Sequence, residues 1–207
     1  MIRRITSTQW TVVALTGIAL LASVVVWLAP AERTLGQGIK IVYIHVPLIW
    51  TGMLGLAATG VLGLVLALTA RLGIQRWMQT AGWVTLGVLL AALATGMLAA
   101  QINWGGVFWD EPLMIMLVRT ILVFAAAHLL GGWLPWKRAA GLLEAGAALF
   151  ILAGIRFTPQ VLHPGNAISS SSSAEIRLTF VGLFALCLLA ALLVWNLKTR
   201  QTTAKMP

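Results

Sequence analysis

Two histidines and one aromatic, acidic segment are the residues best equipped for chemistry in this chain. His45 stands two residues before Pro47 in IKIVYIHVP, and His163 directly before Pro164 in FTPQVLHPG. Between them, Ile102 to Pro112 reads INWGGVFWDEP, with two tryptophans, a phenylalanine, paired glycines and paired carboxylates. Neutral imidazole binds iron, and two imidazoles can approach one iron from opposite faces, so His45 and His163 are candidate axial ligands of a heme. Trp104, Phe108 and Trp109 offer flat apolar surface to a macrocycle, with indole N–H groups for its wet edge. Asp110 and Glu111 can orient a ligating histidine from behind, and Gly105 and Gly106 permit close backbone approach. Lys40, five residues before His45, can pair with a heme propionate. Each residue also has a plainer role: an interfacial histidine that only packs, belt tryptophans, carboxylates that cap a helix start, and a solvated loop cation.

These residues sit between long apolar runs. The chain has 207 residues, 60% of them hydrophobic and 9% charged, with a mean hydropathy of +0.95, which a soluble domain does not carry. A spanning helix takes roughly 20 apolar residues. Six runs qualify, at about 10–29, 46–70, 81–100, 113–134, 139–155 and 178–196. The expected fold class is all-α, a polytopic membrane helix bundle of six transmembrane helices forming a single domain. The first run exceeds a signal-peptide core and is expected to be a retained helix.

Charge placement orients the bundle. With the N-terminus cytoplasmic, the inner segments hold Arg3, Arg4, Arg71, Arg76, Lys137, Arg138, Lys198, Arg200 and Lys205 and no acid. In the outer loops, 30–45, 101–112 and 156–177, Arg33, Lys40, Arg156 and Arg177 are balanced by Glu32, Asp110, Glu111 and Glu175. The net charge of +9 is therefore the positive-inside signal of a cell-membrane protein with both termini cytoplasmic, and no nucleic-acid patch. On that topology His45, the aromatic segment and His163 share the outer face. Small residues of the third span, Gly82, Gly87, Ala91, Ala94 and Gly96, suit close helix packing. Arg119 lies about two turns into the fourth span and can snorkel toward Asp110 or a propionate. His128 reads as a packing residue near the inner end, and Glu144, at the opposite leaflet, does not pair with Arg119. Cys187 is the single cysteine, so neither an internal disulfide nor a CxxCH attachment site exists. The sequence contains no GxxxxGK[ST] loop, so any ATP is used by a partner.

In IKIVYIHVP, in the Thr95-Gly96 pair followed by WGGVFWD, and in FTPQVLHPG, the sequence resembles the cytochrome c assembly family of heme-handling membrane proteins, in its six-helix heme exporter protein C (CcmC-like) branch. The resemblance runs over nearly the whole chain in order and spacing. It implies that heme b, bound non-covalently and transiently, is presented at the outer face of the inner membrane and passed to a membrane-anchored heme chaperone. ABC transporter subunits of the cytochrome c maturation system would then drive release of the loaded chaperone. By position it makes His45 and His163 the axial ligands, and Trp104, Phe108, Trp109 and Asp110 a shortened WWD platform. Lys40 takes the place of the cation at the propionates. The basic residue expected soon after the WWD aspartate is replaced by Glu111 and Pro112, leaving Arg119 as a substitute.

The expected function is thus heme transport without enzymatic chemistry. Two other classes remain: a heme b or quinone-linked electron-transfer subunit, marked by redox cycling with heme retained, and a structural permease subunit of an ABC transporter, indifferent to loss of both histidines.

Overall fold

The computed structural model describes residues 7–159, 161 and 171–204. Six helices follow in order: α1 (Ser7–Leu28), α2 (Ile39–Thr69), α3 (Leu72–Trp104), α4 (Pro112–Trp133), α5 (Lys137–Phe157) and α6 (Ala174–Ala204). All six are long and apolar enough to cross a membrane, making this a multi-pass membrane protein. Short connections alternate between two ends. The aromatic end gathers the end of α1, the start of α2, the end of α3 and the start of α4. The opposite end carries the α2–α3 and α4–α5 turns.

Local chemistry sets the helix limits. Glu111 caps α4, its Oε2 accepting from Met114 N at 2.7 Å, and Pro112 occupies the first turn, where no N–H is needed. Gly105 closes α3 in the left-handed region at φ 77°, its N–H on Gln101 O at 3.1 Å. Between α1 and α2 the Glu32 carboxylate accepts from Thr34 N at 2.8 Å and Leu35 N at 2.9 Å. The Leu35 amide above all holds that carboxyl below the usual range.

The second helix differs from the sequence expectation. It begins at Ile39 rather than Val46, and Pro47 lies inside it. Proline within a membrane helix removes one N–H and is tolerated where neighbouring groups compensate. At 31 residues the helix is about 46 Å long, more than the hydrocarbon core requires.

Small residues bring α2 against α5 and α3. A Cβ on Gly63 would stand 2.7 Å from Gly141 O, and one on Gly60 would stand 2.7 Å from Ala148 Cβ. On its other flank, a Cβ on Gly52 would meet Leu89 Cδ2 at 2.6 Å. Such backbone contact drives helix association in lipid, where burial of apolar surface gives no advantage. One buried cluster, with Leu56, Leu86, Leu89, Ile121, Phe124 and Ile151, fills the space among α2, α3, α4 and α5. A second joins α1, α2 and α6 through Ala29, Ile39, Tyr43, Ile176, Phe180 and Leu183. Tyr43 is its pivot, with its ring centroid 4.7 Å from that of Phe180 and its hydroxyl donating to Pro30 O at 3.0 Å.

Candidate functional site

His45 is a helical residue, not the loop-edge residue expected from the sequence, and it is half-buried against α3. Its Nδ1 lies 2.9 Å from Ala92 O. A carbonyl only accepts, so Nδ1 carries the hydrogen, and in the neutral ring the lone pair belongs to Nε2. Thr95 Oγ1 also donates to Ala92 O, at 3.1 Å. Gly96 supplies the seat: a Cβ there would stand 2.7 Å from His45 Cε1 and 3.1 Å from Nδ1. Gly96, read from sequence as helix packing, therefore shapes the imidazole's position together with Thr95.

Gly96→Ala is expected to push the ring from this seat. The overpacking costs about 1–3 kcal/mol. The ring ¹⁵N shifts of His45 report it directly: loss of the Nδ1–H signature of the parent is expected, and unchanged shifts would mean the ring is held elsewhere.

The aromatic segment caps the same end. Trp104, Phe108 and Trp109 are 42%, 43% and 57% exposed, with Asp110 exposed beside them, so this surface is available to a flat apolar ligand. Asn103 ties its base to the start of α2, with Nδ2 donating to Gly38 O at 3.2 Å and to Ala99 O at 2.9 Å. Gly38 is needed there, because a Cβ would collide with the Asn103 amide. Along α3, Trp104 lies eight residues, or about 12 Å, beyond Gly96. A ligand touching both His45 and the aromatic rings must run along α3 rather than lie flat across the bundle end.

Lys40 is engaged otherwise than as a loop cation. Its Nζ donates to Val26 O at 2.8 Å, Trp27 O at 2.7 Å and Ala29 O at 2.6 Å. These are the last carbonyls of α1, where a cation also meets the negative end of the helix dipole. All three ammonium hydrogens are used, so a propionate would compete with α1 for them. Glu111 takes the capping role through Oε2. Arg119 is exposed, and no ion pair joins it to Asp110 among the described residues. His163 lies outside the described residues.

Sequence reasoning missed a second polar centre. His128 and Glu144, both fully buried, face each other with Nδ1···Oε1 at 2.8 Å. His128 Nε2 donates to Gln79 O at 3.2 Å. Its ring lies edge-on to Trp83, centroids 5.2 Å apart, and stacks on Phe124 at 5.8 Å. Gly82 leaves room for it, since any Cβ there would strike the imidazole. The pairing has a sequence signal: each residue is eight positions from Trp136 at the α4–α5 turn, which places them level on antiparallel helices.

No family model matches the chain. The chain is similar to a putative cytochrome c biosynthesis ccmC-like mitochondrial protein of Marchantia polymorpha, 28% identical over 113 residues. The match covers 54% of this chain, which spans about half (49%) of that relative's length.

Proposed function

We propose that the chain holds heme at the aromatic end of the bundle and hands it to a membrane-anchored heme chaperone during cytochrome c maturation. The observation that carries this reading is the His45 tautomer: with Nδ1–H tied to Ala92 O, Nε2 is the nitrogen for iron, and a backbone partner of this kind is how ligating histidines are oriented. The exposed Trp104, Phe108, Trp109 and Asp110 at the same end support it, as does the cytochrome c biosynthesis name of the Marchantia relative. His163 supplies the opposite axial ligand. Trp104 and the Phe108-Trp109 pair hold the macrocycle, and Asp110 adds a polar edge. Lys40 meets a propionate by giving up bonds to α1. The chain makes and breaks no covalent bond in this role; it positions heme for a chaperone whose release is driven by associated ABC transporter subunits. The aromatic end faces outward from the inner membrane, and the termini are cytoplasmic.

The test is optical. Purified protein supplied with heme is expected to show a low-spin, six-coordinate spectrum, which His45→Ala and His163→Ala each convert to a five-coordinate or ligand-exchanged form. Unchanged binding in the double variant would sink the axial pair.

One observation favours electron transfer as a second reading. His45 sits within a helix, half-buried, as the ligands of retained b-type hemes do. Reversible reduction by quinol with heme retained, and no transfer to a chaperone, would select it.

A further inference from the structure

We infer that the His128–Glu144 pair is a proton-binding site within the membrane-spanning part of the bundle, in exchange with solvent through a groove at the start of α3. The hydrogen-bond arithmetic fixes its charge. Gln79 O only accepts, so Nε2 carries a hydrogen, and the 2.8 Å contact between Nδ1 and Oε1 needs one more. The pair holds one shared proton, either as imidazolium with carboxylate or as imidazole with carboxylic acid, and is neutral overall. Release of that proton to solvent leaves a carboxylate beside a neutral imidazole, with net charge −1, and uptake restores neutrality.

Two further observations point to exchange rather than a sealed structural pair. Glu144 Oε2 and Gln79 Nε2 are both buried without a hydrogen-bond partner. Buried polar groups are rarely left so, and water is the usual partner of such atoms. The adjacent glycines put no side chain against these atoms: a Cβ on Gly131 would come into ordinary contact 3.8 Å from Glu144 Oε2, and one on Gly132 would stand 3.6 Å from the Gln79 amide oxygen.

The second observation is a path. A groove of about 360 Å³ is lined by Gln75, Arg76, Gln79, Thr80 and Trp83, among others. Gln79 and Trp83 are the same residues that touch His128. The groove's α6 side is held by Trp195 Nε1 donating to Thr80 Oγ1 at 3.0 Å and by Thr80 Oγ1 at 2.9 Å from Thr199 Oγ1. The groove's polar residues thus end at Gln79, whose backbone carbonyl holds the imidazole, and ionisable residues so placed in membranes can serve as proton relays. The packed elements also bring cations. Arg76 lies one turn before Gln79 on α3, and Arg138 on α5 donates from Nη1 to Ala67 O of α2 at 3.2 Å. Helix α2 otherwise meets Glu144 with Gly63, and α4 contributes His128 itself.

The experiment is hydrogen exchange on the full-length protein in lipid nanodiscs, with ¹⁵N-labelled histidine. On transfer to D₂O, the shared proton, assigned by its loss in Glu144→Gln, is expected to exchange while the amides in the middle of α4 remain protected. Exchange only in step with those amides would overturn the proposal, since the pair would then open only when the bundle does. Gln75→Trp, which fills the groove mouth without touching the pair, is expected to slow exchange roughly tenfold with amide protection unchanged. An unaltered rate in that variant would overturn the groove as the route.

Discussion

His128→Leu is expected to destabilise the bundle by about 3–5 kcal/mol, the range found when one partner of a buried ion pair is removed. Glu144 is 0% exposed, and its Oε2 already has no hydrogen-bond partner. Without the imidazole, Oε1 loses its partner too, and Gln79 O loses the Nε2 hydrogen. An uncompensated carboxyl group is then left among helices α2 to α5. The companion variant separates charge from shape. His128→Leu combined with Glu144→Met replaces the whole pair by apolar side chains of similar volume, and such replacements are often neutral or stabilising. The double variant is therefore expected to recover most of the loss. Unfolding midpoints of the parent, of His128→Leu and Glu144→Met singly, and of the double variant in one detergent give the coupling energy. A double variant as unstable as the single one would mean that the pair's packing, rather than its charge balance, holds the helices.

Gly141→Leu is expected to cost about 3 kcal/mol or more, at or above the top of the usual overpacking range. A Cβ on Gly141 would collide with Gly63 O and stand 2.7 Å from Ala67 N. Both are backbone atoms, so no rotamer change relieves the contact. Helix α5 would have to move away from α2, separating Gly60 from Ala148 and drawing Glu144 away from His128. The same helix offers an internal control in Gly146, where a Cβ would meet nothing within 4 Å. Gly146→Leu faces open space and is expected to change stability by less than about 0.5 kcal/mol. Equal losses in the two variants, measured by thermal unfolding, would show that added bulk anywhere on α5, rather than the α2–α5 crossing, governs this element.

The six apolar runs were legible because a membrane imposes a length and a composition on whatever crosses it. The helix limits were less legible. Pro47 read as a helix-start residue, yet α2 extends eight residues before it, because Lys40 satisfies the end of α1 instead of facing water. Likewise Arg71 to Thr80 read as a loop, whereas α3 begins at Leu72. Met78 and Thr80 are buried there, and Thr80 is bonded to α6, an arrangement no local pattern announces. The aromatic segment was found from sequence alone, because exposed rings beside an acid are unusual between membrane helices. What surrounds His45 was not, since Ala92 and Gly96 are separated from it by a full helical turn-back and look like ordinary small residues. Of the five small residues expected to pack helices along α3, Gly82 and Gly96 instead make room for imidazoles, and Gly87 faces open space.

The Lys40 contact bears on how the protein is built in the membrane. In its most apolar stretch none of α1 is buried, and the Lys40 and Tyr43 bonds grip its last residues from the neighbouring helix. Helix α1 is thus a mast stepped at one end, bathed in lipid along most of its height. Its stability as a helix comes from the bilayer, and its docking from the Lys40 and Tyr43 bonds together with the apolar cluster it shares with α2 and α6. Such an element can insert on its own, and its docking is completed only when both α2 and α6 are in place.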